Sequence, residues 1–154
     1  MKILTALMVF YAGILSVLAT GPEPPESGIR FEDFLWKNRL VVLTAPLPDD
    51  PLLKEQLELF LGEAEGLKER DLRIIRIHKT GQDSIDSSPL NLESVENILQ
   101  ATGLNTESFT FTLFGKDGTP KLSSPTPVPV EKLYAVIDRM PMRRREIQER
   151  ESLP

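Results

Sequence analysis

The chain has no cysteine. A thiolate is the attacking group in thiol–disulfide exchange, so that chemistry is excluded for this chain. No disulfide can brace the fold, and stability must come from burial of apolar surface. No lipidated cysteine can follow the amino-terminal segment, which excludes a lipoprotein. Histidine is nearly as scarce, with His78 standing alone. A lone histidine cannot build a histidine-rich metal site, and no nucleophile motif accompanies it. It reads as a solvent-edge or hydrogen-bonded structural residue. Internal repeats and low-complexity segments are also missing. Basic residues are in the minority, 18 against 23 acidic ones, for a net charge of −5. Such a surface does not attract nucleic acid or anionic lipid over its whole extent. No cofactor and no metal is expected.

What is present begins with an address. Met1-Lys2 is a short positive start, and Ile3 to Ala19 is apolar apart from Thr5, Tyr11, Gly13 and Ser16. Val17 and Ala19 occupy the −3 and −1 positions of a cut after Ala19. This is the layout of a secretory signal peptide. The run is at the lower limit for spanning a bilayer, and Pro22, Pro24 and Pro25 follow it at once. The expectation is cleavage rather than a retained anchor, an exported protein in a periplasmic or extracellular location, and no stable membrane insertion. The domain reading is a signal at 1–19, a Pro/Glu/Gly linker at 20–30, one domain at 31–141 and a charged helical tail at 142–154.

Arg39 to Ala45 (RLVVLTA) is a nearly unbroken apolar run and predicts a buried parallel strand. Asp50-Pro51 predicts an N-cap and first helical position. The helix then carries an apolar face through Leu53, Leu57, Phe60, Ala64 and Leu67. Leu72 to Ile77 is a second buried strand, closing a βαβ unit. Lys79 to Leu90 reads as a long polar loop. Asn91 caps a second helix that Gly103 stops. Phe109 to Phe114 alternates as a strand, Asp117-Gly118 supplies a hairpin turn, and Thr119 to Ser123 returns. A third amphipathic helix starts near Val130, and Pro141 interrupts it. The expected fold class is α/β. The order β-α-β-α-β-β-α matches a thioredoxin-like core, a four-stranded mixed sheet with helices on both faces. A ferredoxin-like plait ranks second.

Three stretches carry a resemblance: WKNRLVVLTAP at Trp36 to Pro46, ERDL at Glu69 to Leu72, and Gly115 to Glu146, which opens GKDGTPKL and ends IDRMPMRRRE. Together they are similar to the bacterial family known as domain of unknown function 4174. That family is related to extracellular modules of vertebrate matrix and sushi-repeat proteins. The resemblance implies a thioredoxin-like fold, an exported location and an adhesive or matrix role in the animal relatives. It carries no catalytic residues to transfer. The place of a redox Cys-x-x-Cys pair is taken here by Ala45 to Asp50.

Four features are candidates for function. Asp49 and Asp50 are adjacent carboxylates at a helix start, where capping and the helix dipole explain them better than an acid/base or metal pair. Arg139, Arg143, Arg144 and Arg145 are the densest charge. Arginine forks bind phosphates and carboxylates, whereas Arg145–Glu149 and Glu146–Arg150 at i,i+4 spacing would give a solvated, self-paired helix, each pair contributing about 0.2–0.5 kcal/mol. For Arg143, Arg144 and Arg145 the reading is a mixture, with one docked on the body, through Asp71 or Asp138, and two exposed. Trp36 is expected to plug the sheet margin, and Met140-Pro141-Met142 to seal the core edge. The leading expectation is an exported, non-catalytic module that binds a protein, an envelope polymer or a small anion. The alternative is an enzyme with a non-thiol site around Asp49–Asp50, Trp36 and the arginines. A third reading is an accessory that docks a cysteine-bearing partner.

Overall fold

The computed structural model describes residues 28–153. The signal and most of the linker read from the sequence lie outside the described residues. A 3-10 helix over Phe31–Phe34 leads into β1, Arg39–Ala45, followed by α1, Pro51–Leu59, and α2, Ala64–Glu69. Next come β2, Leu72–His78, then β3, Ser84–Ile85, and β4, Ser88–Pro89. The chain continues through α3, Leu92–Thr102, β5, Thr110–Phe114, and β6, Pro120–Ser124, to α4, Val130–Asp138, and α5, Pro141–Glu151. The sheet order is β4-β3-β2-β1-β5-β6. Only β1 and β2 run parallel, Arg39 opposite Leu72 through Ala45 opposite His78.

Every residue of β1 is buried, as its unbroken apolar run predicts for a strand covered on both faces. Period-two alternation divides its side chains between two cores. Val41, Leu43 and Ala45 join Leu53, Leu67, Phe111, Leu133 and Ile137 beneath α1, α2 and α4. Leu40 and Val42 join Phe31, Phe34, Ile75, Val95 and Ile98 beneath α3 and the 3-10 helix. Local signals end the elements where expected. Asp50 accepts from the N–H groups of Leu52 and Leu53, Asn91 accepts from Ser94 N–H, and Gly103 stops α3 at φ +68°. Gly118 turns the β5–β6 hairpin at φ +75°, and any Cβ there would lie 2.6 Å from the Leu35 side chain.

A four-stranded thioredoxin-like core with three helices does not describe this molecule. The sheet has six strands and the described residues carry five α-helices. The extra strands lie in Lys79 to Leu90, read from sequence as loop. At two residues each they are too short to leave an apolar period, yet β3 pairs with the outer edge of β2 and β4 pairs with β3. That edge would otherwise present open N–H and C=O groups. Asp86 extends the cover, its backbone N–H donating to Ile74 O and its carboxylate accepting from Ile74 N–H, both at 2.8 Å. The single helix expected after β1 is two, separated by Gly62 at φ +83°. The charged tail is α5, docked on the body rather than solvated on all sides.

Candidate functional site

Charge is treated differently at the two ends of the parallel strand pair. At the end where β1 and β2 begin, Arg39 is wholly buried. It forks onto Glu146 of α5, with Nη1 donating to Oε2 at 3.2 Å and Nη2 to Oε1 at 3.1 Å. Nη1 also donates to Arg70 O at 2.9 Å. Lys116, just past β5, places Nζ 2.8 Å from Glu146 and 2.8 Å from Asp71. Arg143 of α5 is also buried. It donates to Asp138 Oδ1 at 3.1 Å, to Glu69 Oε1 at 2.5 Å and to Glu69 O at 3.1 Å. Arg70 forks onto Asp138 and lies 3.9 Å over the Tyr134 ring.

These groups shift one another's protonation. The hydrogen bond from Arg143 holds Glu69 below the ordinary carboxylate range. Burial pushes Asp138 and Glu146 up, but donors outweigh it. Arg70 and Arg143 act on Asp138, Lys116 and Arg39 on Glu146, and both acids end below their usual values. Burial and the hydrogen bond to Glu63 push the Tyr134 hydroxyl up to about 12. The network is a lock that ties α5 to α4, α2 and β1. Its cations are largely matched by acids.

The sequence candidates divide accordingly. Arg143 is the docked arginine, on Asp138 and on Glu69, which the sequence reading did not name. Arg139, Arg144 and Arg145 are exposed, and their guanidinium groups have no hydrogen bond or ion pair among the described residues. The expected helical pairs do not form. Glu146 is taken by Arg39 and Lys116, and Arg150 reaches Glu69 instead. Asp50 is a cap and Asp49 is exposed beside it, so the structure does not converge them on a third acid. Trp36 is not a plug: it is 66% exposed, because Phe31 and Phe34 take the core-facing places just before it. It lies in a turn at φ +64°, with its N–H donating to Lys116 O at 2.7 Å. Met140 packs against the core, as expected of an edge seal.

The opposite end, where β1 and β2 finish, holds a cleft of about 360 Å³. In open α/β sheets ligands settle outside the carboxyl ends of parallel strands. Pro48 and Leu53 form one side, while Arg76, His78, Gln82 and Asp83 form the polar side. Sequence reasoning assigned His78 a structural role and passed over Arg76, Gln82 and Asp83. The one available signal was the placing of Gln82 and Asp83 in a short Gly81-containing loop directly after β2, whose end carries Arg76 and His78. The His78 ring is buried, its Nδ1 lies 3.4 Å from Asp83 Oδ1, and that nitrogen makes no hydrogen bond. Asp83 Oδ1 accepts instead from the His78 backbone N–H at 2.6 Å. Among the described residues no group of three His, Asp or Glu side chains could hold a metal ion, and no helix is long and apolar enough to cross a membrane.

These features define a cysteine-free α/β protein with a mixed six-stranded sheet, a locked carboxy-terminal helix and an open cleft. Comparison with known proteins then places the chain. Residues 30–146 match the family model "Domain of unknown function (DUF4174)", and the chain belongs to that family. It is similar to coiled-coil domain-containing protein 80 of Danio rerio, 26% identical over 136 residues, which cover 78% of this chain and 16% of the relative. The chain thus corresponds to a small part of that protein's length. No solved structure matches the chain. The matched span contains Arg39, Glu69 to Asp71, Lys116, Arg143 and Glu146, all members of the ionic lock.

Proposed function

We propose that this chain is an exported, non-redox binding module whose arginine-bearing α5 face engages an anionic polymer or an acidic protein surface. The observation that carries this reading is the contrast within one run of sequence. Arg143 is spent on the body, and consecutive helical residues diverge by about 100°. Arg144 and Arg145 therefore stand on the outward side of α5 with unpaired forks, beside exposed Arg139. Unpaired guanidinium groups on an otherwise acidic chain offer a local site for carboxylate, sulfate or phosphate groups. Export is supported by the charge, apolar run and small residues of the first 19 positions.

The test is retention of the purified protein on immobilised heparin, a sulfated polymer, with and without Arg144→Ala and Arg145→Ala. The double variant is expected to elute at lower salt than the parent while melting at the same temperature, because exposed charges contribute about 0–1 kcal/mol to stability. Equal elution would remove the α5 face as a binding surface. A second reading, an enzyme with a non-thiol site beyond the first strand, draws on the His78–Asp83 pair in the cleft there.

A further inference from the structure

Arg76 breaks a pattern that the other sheltered arginines obey. Arg39, Arg70, Arg73 and Arg143 are buried or half-buried, and each faces a carboxylate: Glu146, Asp138, Asp86 and Glu69 respectively. Arg76 is half-buried on β2 and has no ion pair among the described residues. Its Nε donates to Ser84 Oγ at 2.9 Å, which holds the side chain in place. The rest of its fork is left without a protein acceptor at the cleft. A partly desolvated cation without a counter-ion is unfavourable, and the surrounding protein normally supplies one. Asp83 lines the same cleft yet does not come within ion-pair distance of Arg76. It is turned to the His78 backbone and ring.

We propose that the cleft at the carboxyl ends of β1 and β2 binds a small organic monocarboxylate, with Arg76 as its counter-ion. The Arg76 fork matches a carboxylate in bidentate geometry. Leu53 and Pro48 give the acid's carbon body an apolar wall. The exposed Gln82 amide gives it a polar contact, and the buried His78 ring lies in the cleft wall, where it reports on an occupant. The volume of about 360 Å³ falls at the small end of ligand pockets, roughly 300–1,000 Å³. That suits a small acid, and the lining shares no residue with the α5 face, so either site can fail without the other.

The lone histidine makes the test direct, because its imidazole signals in an NMR spectrum need no further assignment. Benzoate is titrated into the purified protein, with benzamide and methylphosphonate as controls. A saturable shift of the His78 signals is expected with benzoate, none with benzamide, and a weaker one or none with methylphosphonate. Arg76→Gln is expected to abolish the benzoate shift while the melting temperature stays at or above the parent's. Arg76→Lys keeps the charge but loses the fork, and is expected to weaken binding about tenfold. No saturable shift at millimolar benzoate, a shift retained in Arg76→Gln, or tighter binding of methylphosphonate than of benzoate would each overturn the proposal.

Discussion

The two ends of the β1–β2 pair contain the same kinds of residue and do opposite things with them. At the starting end, Arg39, Arg70, Lys116 and Arg143 meet Glu69, Asp71, Asp138 and Glu146, and α5 closes over them. At the finishing end, Arg76, His78 and Asp83 share a cleft without pairing into a closed set. Burial with partners makes a charge structural, because removing either member strands the other. Partial burial without a partner leaves a charge available. The teaching is that arginine density in sequence is a poor guide to a binding site. What decides is whether each guanidinium has already found its carboxylate.

The largest way to break this comparison is Glu146→Ala. It strands Arg39, whose side chain is 1% exposed and has no other carboxylate, and leaves Lys116 with Asp71 alone. A loss of about 3–5 kcal/mol is expected, as for other buried pairs cut on one side. Urea unfolding measures it, and a loss below about 1 kcal/mol would show that the lock contributes little.

Arg143→Ala comes next. Its partners Glu69 and Asp138 keep solvent access of 48% and 35%, so screening reduces the effect to roughly 2–3 kcal/mol. The same urea midpoints read it. Leaving the midpoint unchanged would mean that α5 docks through apolar contacts alone.

Acid sharpens the contrast. Glu69, Asp138 and Glu146 all have folded values below their ordinary 4.5, 3.8 and 4.5. A lowered carboxylate stabilises fully above its unfolded value and loses that contribution as pH falls through its folded one. Stability is therefore expected to hold from neutral pH down to about 5 and to fall below that. In Arg143→Ala the acid-side fall should be shallower. An equally steep fall in parent and variant would assign the acid limb to other carboxylates.

At the open end the expected effect on stability is smallest. Arg76→Gln removes a cation that has no counter-ion, so its unfolding free energy should stay within about 0.5 kcal/mol of the parent. A loss as large as that of Arg143→Ala would make Arg76 a structural residue and erase the difference between the two ends.

Parts of this were legible in the residues. The RLVVLTA run announced a doubly covered strand, and all seven residues are buried. One docked and two exposed among Arg143, Arg144 and Arg145 followed from helical divergence. Arg143 docks on Asp138, one of the two acids expected, at 3.1 Å, and also on Glu69 at 2.5 Å, which was not expected. The β3–β4 hairpin was not legible, since two-residue strands carry no period. The exposure of Trp36 was not legible either, because it depends on Phe31 and Phe34 reaching the sheet first.

By itself the sequence determined what is local. It excluded thiol chemistry through the lack of cysteine, placed the caps at Asp50 and Asn91, stopped α3 at Gly103 and turned the hairpin at Gly118. These depend on one residue's conformational range and its nearest neighbours. Tertiary structure alone decided which charges are satisfied. Arg39 and Glu146 are 107 positions apart, and Arg143 and Glu69 are 74 apart. No spacing rule spans such separations. Whether a charge is paired depends on distance in the folded chain, and that is set only once two cores have packed against the two faces of the sheet.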